Sequence, residues 1–221
     1  DGTPWTLATA PNLTFTANMD NPGFEVLSVK DYLAEARWNG QVPTFNLRGL
    51  RLALYDAKTS SRRGTAVVTQ GDGRKPGLVR GKPHNRLTLR VPAGTLAGDF
   101  GHADLTLFER RDGAIHSKAH DNVSGCAAIV ACLDHLARKR LPGDVTALFT
   151  RAEEVGFHGC WGAIRFGTIP NDRPVVVLEC SKAMPGAEMG KGPVIRVGDK
   201  ARVFDADAAA ALEERARELK R

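Results

Sequence analysis

The sequence predicts an α/β fold: a mostly parallel sheet covered by helices, with a small β-barrel or sandwich domain inserted near its start. Strand and helix patterns alternate after about residue 106. Between residues 29 and 105, short apolar runs are instead separated by Gly, Pro, Ser and basic clusters at hairpin-like intervals. We therefore expect a first part of the main domain at 1–28, an inserted β-rich domain at 29–105 and a second part of the main domain at 106–221.

The individual elements follow from residue periodicity, taken in chain order. Alternating apolar residues predict strands, and apolar residues at helical spacing predict helices. The expected strands are 13–17, 23–29, 50–54, 65–69, 86–90, 145–150, 175–178 and 194–197, of which 175–178 reads as a fully buried strand of parallel-sheet type. The expected helices are 124–136, 159–166 and 205–220, the last with Asp205 as its cap.

Composition limits the classes of function. No run of 18 apolar residues exists, so we expect no membrane span, and the N-terminus shows no secretory signal pattern. The net charge of +6 is scattered in clusters at 61–63, 74–75, 80–82 and 138–140, and only 6% of residues are aromatic, which argues against nucleic-acid binding. The four cysteines lack paired zinc-like spacing, which favours free buried thiols and a cytoplasmic protein.

Acidic residues that follow apolar runs are the candidate functional residues. Asp121 precedes an expected helix, Glu153 and Glu154 follow one expected strand, and Glu179 follows another. Such carboxylates can converge at one rim of a sheet and be held together there by cations, because isolated carboxylates are costly to bury. Of two adjacent glutamates, one could then bind a metal ion while the other transfers a proton.

Each candidate also has an ordinary structural interpretation. Asp121 could be a helix N-cap, and the glutamate pair could be a solvated surface loop. Glu179, on what reads as a central strand, should be desolvated and therefore needs a partner. The histidines show no spacing typical of a compact zinc site, and His120 could either support Asp121 or lie on the surface.

Four segments in order resemble one family. The stretch Glu-Glu-Val-Gly-Phe-His-Gly at 153–159 resembles the Glu-Glu-Val-Gly-x-x-Gly signature of the cocatalytic dinuclear-metal aminopeptidases, the glutamyl- and tetrahedral-aminopeptidase group of zinc exopeptidases. Residues 118–125, 17–24 and 190–195 resemble further stretches of that family. The resemblance covers nearly the whole chain and implies a zinc-exopeptidase-like catalytic domain with an inserted β domain.

The resemblance implies a role for each matching position. Asp121 would bridge two metal ions, Glu154 and Glu179 would be terminal ligands, and Glu153 would be the general base. Asp20 would orient the residue at position 18, where the family has a ligand histidine and this chain has Asn18. The ions would be zinc, with cobalt or manganese as alternatives.

Two departures qualify this reading. An amide such as that of Asn18 is a poorer zinc ligand than imidazole. The family's last ligand histidine would lie beyond Arg221, so we expect the sequence to be a fragment or a degenerate member.

The predicted function is that of a metal-dependent aminopeptidase acting on peptides. Asn18 keeps open the alternative of a non-catalytic binding or assembly module. Glu179 keeps open a di-metal deacylase or carboxypeptidase-type hydrolase. We also expect a homo-oligomer, because the inserted domain commonly mediates self-association in such enzymes.

Overall fold

The computed structural model describes residues 12–40, 42, 44–71, 85–171, 173–199 and 202–219. The first eleven residues and the basic clusters at 74–75 and 80–82 lie outside the described residues. The strands are β1 (Asn12–Asn18), β2 (Gly23–Lys30), β3 (Leu33–Asn39), β4 (Arg51–Tyr55), β5 (Arg62–Gly71), β6 (Arg86–Arg90), β7 (Phe100–Ala103), β8 (Glu109–Arg111), β9 (Ala114–His116), β10 (Asp144–Thr150) and β11 (Val175–Val177). The helices are α1 (His120–Lys139), α2 (His158–Arg165), α3 (Ala206–Leu219) and a 3₁₀ turn at Thr44–Leu47.

The inserted β-rich segment forms a closed six-stranded barrel in the order β2-β3-β6-β5-β4-β7. Alternate side chains point inward and form the main apolar core, which includes Leu52, Leu54, Leu87 and Leu89. Gly101 allows strands to approach closely, because a Cβ there would lie 1.9 Å from the Ala53 carbonyl oxygen. The sequence predicted either a barrel or a sandwich for the inserted segment, and the structure confirms the barrel.

The barrel begins earlier in the chain than predicted. Strand β2 pairs with β3 and β7, so it belongs to the barrel and not to the first part of the main domain. The boundary placed at residue 28 therefore falls inside a barrel strand. Periodicity could not show this, because a strand reads the same in either sheet.

The main domain contains three parallel strands in the order β10-β1-β11. Helix α1 packs on β1 and β10, and its residue Ile129 is buried. Within the described residues, β11 is an edge strand with Val175 and Val177 exposed, so the prediction of a buried central strand is wrong. The central strand is β1.

The remaining elements match the sequence patterns with one exception. Helix α3 begins after Asp205, whose carboxylate accepts a hydrogen bond from the Ala208 amide at 2.9 Å, as expected of a cap. Residues 194–197 form no strand, and only an isolated bridge between Gly198 and Val203 follows them. None of the helices among the described residues is long and apolar enough to cross a membrane.

Candidate active site at the carboxyl edge of the parallel sheet

The three parallel strands end side by side and bring the predicted acidic residues to one edge. Asn18 at the end of β1 is in register with Thr150 at the end of β10, and the Met19 amide donates to the Thr150 carbonyl at 2.9 Å. On the other side of β1, the Leu178 amide donates to the Thr16 carbonyl at 2.9 Å. The segments that carry Asp20, Glu153–Glu154 and Glu179 therefore all leave the sheet at this edge.

Asp20 ties the first of these segments to the second. Its two carboxylate oxygens accept hydrogen bonds from the backbone amides of Glu153 and Glu154, each at 3.2 Å. Asp20 was predicted to orient the residue at position 18, but no hydrogen bond between those two side chains is seen among the described contacts. Its observed contacts hold the turn that presents both glutamates.

Asn18 is buried, and its amide oxygen is already used. The Asn122 amide nitrogen donates to Asn18 Oδ1 at 3.1 Å, to the Leu178 carbonyl at 2.6 Å and to Glu179 Oε2 at 3.4 Å. Because the Leu178 carbonyl can only accept, Asn122 directs its NH₂ group this way, and this orients Asn18 in turn. Asn18 Nδ2 and Asn122 Oδ1 are left buried without a hydrogen-bond partner among the described residues.

Asn122 has no role predicted from the sequence, although it lies in the segment 118–125 that resembles the family. It is fully buried and joins the ends of β1 and β11 to the start of α1. Gly125 leaves space for it, because a Cβ at Gly125 would lie 2.4 Å from Asn122 Oδ1. A buried amide with several acceptors around it is not visible in a linear pattern.

Asp121 lies at the start of α1 but does not cap it. Its backbone is non-helical (φ −91°, ψ 105°), as that of a capping residue can be, but the described contacts include no hydrogen bond from a backbone amide of α1 to its carboxylate, and the start of α1 has no side-chain capping bond. The N-cap interpretation of Asp121 is therefore wrong. Its carboxyl group instead lies near that of Glu179 and contributes to the raised pKa of Glu179.

The carboxyl groups at this edge disfavour one another's ionisation. Desolvation, opposed by the Cys180 amide and reinforced by Asp121 and Glu153, raises the pKa of Glu179 to about 7. Desolvation, together with Asp20 and Asp121, also raises the pKa of Glu153. Glu179 is exposed as a whole residue, but its carboxyl group is still partly desolvated and lies near that of Asp121, as its position after an apolar run predicted.

Glu154 lies beside the acidic cluster, whereas His120 lies on the surface away from it. The backbone of Glu154 is held by Asp20, and Glu154 lines the adjoining cavity. His120 is exposed, and its ring lies 3.1 Å from the Ile115 carbonyl oxygen, so it is a surface residue here and contacts no candidate ligand.

The negative charge of this site favours a divalent cation, but its side chains are not placed close enough together to hold one. Within the described residues, Asp20, Asp121, Glu153 and Glu179 form no ion pair with Lys, Arg or His. A cation would offset the desolvation and the smaller mutual repulsion that together raise the pKa values of Glu153 and Glu179. However, no three His, Cys, Asp or Glu side chains in the described part of the chain lie close enough to hold one ion as placed.

A large cavity adjoins the acidic edge. Its volume is about 1220 Å³, and it lies between the sheet edge, represented by Asp20 and Glu154, and the barrel, represented by Phe100 and His102. Lys118 also lines it. The site is thus open on one side to a space large enough for a short peptide.

Comparison with known proteins gives consistent matches. A family model described as M42 glutamyl aminopeptidase matches residues 91–220. The glutamyl aminopeptidase of Lactococcus lactis subsp. cremoris (strain MG1363) is 28% identical over 225 residues, which cover 88% of this chain and 59% of that relative.

Solved structures share the fold. The TET aminopeptidase from a marine sediment archaeon of the Thaumarchaeota superposes with a TM-score of 0.76 at 16% identity, covering 95% of this chain and 64% of that one. An aminopeptidase from the archaeon Desulfurococcus kamchatkensis gives 0.71 at 18% identity, with 96% and 63% covered. The Pyrococcus horikoshii TET1 peptidase, described as assembling into a tetrahedron or a large octahedral shell, gives 0.72 at 22% identity, with 95% and 66% covered. The chain therefore spans less than two thirds of the length of these relatives.

Proposed function

Because the chain belongs to the M42 glutamyl aminopeptidase family, we propose that it is a metal-dependent hydrolase that removes N-terminal residues from peptides. The observation that carries this proposal is the meeting of Asp121 and Glu179 with Glu153 beside a peptide-sized cavity. Unpaired carboxylates are unfavourable together unless a cation joins them.

The residues divide into ligands and a proton carrier. Asp121 would bridge two divalent ions, with Glu154 and Glu179 as terminal ligands and Asn18 at the remaining position. When bound, the ions would lower the pKa of water and polarise the peptide carbonyl. Glu153, whose pKa is raised, would accept a proton from water and deliver it to the leaving amine. Asp20 would hold the backbone of Glu153 and Glu154 in place.

The choice of metal follows from the donor atoms. The proposed ligands offer only carboxylate and amide oxygens, which suit manganese as well as zinc. The Asn18 side-chain oxygen already accepts a hydrogen bond from the Asn122 amide, so only its second lone pair is left for an ion. We therefore expect the Asn18 side to hold its ion more weakly than the Asp121–Glu179 side.

Activity with loaded metal tests the proposal. The protein is incubated with zinc, cobalt or manganese and assayed on aminoacyl-anilides, with N-blocked anilides beside them. Glu153→Gln should abolish turnover, whereas Glu214→Gln, the same change on the exposed face of α3, should not. Equal activity in Glu153→Gln and the parent would contradict the proposal, and a preference for N-blocked substrates would favour a deacylase.

Asn18 supports a second candidate, a non-catalytic relative that acts as a binding or assembly module. The buried Asn18–Asn122 pair occupies the place of a ligand with an amide hydrogen bond. Metal analysis separates the two candidates. Less than one tightly held ion per chain, with no affinity gained by Asn18→His, would favour the non-catalytic module.

A homo-oligomer is also proposed. Structural relatives include a protein described as a dodecamer and one described as forming a tetrahedron. Light scattering after size-exclusion chromatography measures the mass directly, and a monomer at all concentrations would contradict this part. A cytoplasmic location stays a prediction, supported by the four free cysteines.

A further inference from the structure

We propose that Asn122 is a positioning residue whose NH₂ group requires a hydrogen-bond acceptor at position 18, so that an amide oxygen and not an imidazole is the fitting metal ligand there. This inference rests on the proposed function, because Asn18 is a ligand only under that proposal. It deepens the proposed function by naming the group that controls this ligand. Asn122 is not itself one of the proposed ligands.

The Asn122 amide nitrogen connects two of the proposed ligands. It lies 3.1 Å from Asn18 Oδ1 and 3.4 Å from Glu179 Oε2, and its shortest hydrogen bond, at 2.6 Å, goes to the Leu178 carbonyl. Asn18 is the last residue of β1, whereas Leu178 and Glu179 follow β11. One nitrogen atom at the start of α1 therefore keeps the oxygens of Asn18 and Glu179 close to each other.

The orientation of the Asn122 amide is fixed by its surroundings. A half-turn of the amide would place Oδ1 against the Leu178 carbonyl oxygen, and two acceptors form no hydrogen bond. Asn122 is also fully buried, and a Cβ at Gly125 would lie only 2.4 Å from its Oδ1, so there is little space on that side. The NH₂ group therefore stays directed toward position 18.

The backbone at position 18 is held as well. The Cys126 thiol of α1 donates to the Asn18 carbonyl at 3.3 Å, and the next residue, Met19, donates its amide to the Thr150 carbonyl at 2.9 Å. Asn18 is only 4% exposed. A side chain at position 18 therefore has little freedom to turn away from the Asn122 amide.

An amide oxygen and an imidazole differ in what they can offer beside this donor. A carboxamide oxygen has two lone pairs, so Asn18 Oδ1 can accept from Asn122 and still offer one lone pair to a cation. A neutral imidazole has a single acceptor nitrogen, and when a metal takes it, the other nitrogen carries a hydrogen that needs an acceptor. The Asn122 NH₂ group is a donor, so it would limit the gain in zinc affinity from Asn18→His.

A double-mutant cycle of zinc affinity tests this pairing without any substrate. Zinc is titrated by calorimetry into the metal-free parent, Asn18→His, Asn122→Asp and the double variant. An aspartate at position 122 offers an acceptor to the imidazole N–H, and such a partner changes metal affinity by about 10- to 100-fold. We expect the effect of Asn122→Asp on zinc affinity to be at least about tenfold more favourable in the Asn18→His background than in the parent. Equal effects in the two backgrounds would overturn the proposal.

A control variant and a second measurement complete the test. Asn46→Asp, the same change at an exposed position of the 3₁₀ turn, should have the same effect in both backgrounds. If the variants at position 122 do not fold, NMR of the parent labelled with ¹⁵N-asparagine still tests the proposal. The NH₂ hydrogens of Asn122, identified by nuclear Overhauser contacts with α1, should exchange slowly both before and after zinc is bound. Rapid exchange in either state would contradict a lasting hydrogen bond to Asn18.

The outcomes separate this inference from the proposed function. Equal effects of Asn122→Asp in the two backgrounds, with turnover of aminoacyl-anilides by the metal-loaded parent, would overturn the positioning role and leave the proposed function standing. A dependence on the residue at position 18, without turnover of any substrate by the parent, would support the positioning role and count against the proposed function.

Discussion

Replacing Asp20 should release the turn that carries Glu153 and Glu154. The Asp20 carboxylate accepts both backbone amides at 3.2 Å, and a hydrogen bond to a charged group contributes about 1.5–3 kcal/mol. Because Asp20 is half-buried and both bonds are long, we take about 1.5 kcal/mol for each. Asp20→Asn loses one acceptor, and Asp20→Ala loses both.

Hydrogen exchange of the backbone amides measures this effect locally. Since 1.4 kcal/mol is about a factor of ten, the amides of Glu153 and Glu154 should exchange about tenfold faster in Asp20→Asn and about a hundredfold faster in Asp20→Ala. Asp207→Asn, an exposed aspartate in the first turn of α3, serves as the control. Unchanged protection of these two amides in Asp20→Ala would refute the assignment of Asp20 as their anchor.

Three further predictions concern the metal site, its titration and the barrel. Asn18→His should raise zinc affinity at least about tenfold by calorimetry, because imidazole is the better ligand, and Asn18→Gln should not. In metal-free protein the pKa of Glu179 is raised from 4.5 to about 7, so the folded state binds an extra proton in this window. Stability to urea should therefore fall by about 1 kcal/mol as pH rises from 5 to 7, allowing for the screening of an exposed group, and Glu179→Gln should reduce this slope to the part that Glu153 contributes. Leu52→Ala in the barrel core should cost about 2–5 kcal/mol, whereas Leu96→Ala at an exposed site should cost less than about 0.5 kcal/mol, by the same urea titration.

The site was predictable wherever local pattern and chemistry agreed. Asp121, Glu153 and Glu179 each follow or precede a recognisable element, so their meeting at one edge could be expected from parallel strands. The hydrogen bonds from two backbone amides to Asp20, and the hydrogen bond between Asn122 and Asn18, could not be predicted from the sequence. They join residues more than one hundred positions apart, and periodicity contains no information about which distant groups meet.

The sequence by itself determined the elements and their chemistry: strands β1 and β10, helices α1 and α3, the β-rich insertion and the acidic residues at strand ends. Hydrophobic periodicity and helix capping depend on a few neighbouring residues, so they can be recognised in the sequence. Only the tertiary structure decided that β2 belongs to the barrel, that β11 lies at the edge of the described sheet, and that residues of the barrel and of the sheet edge line one cavity. Strand order and cavity lining depend on packing between distant segments, which the local sequence does not specify.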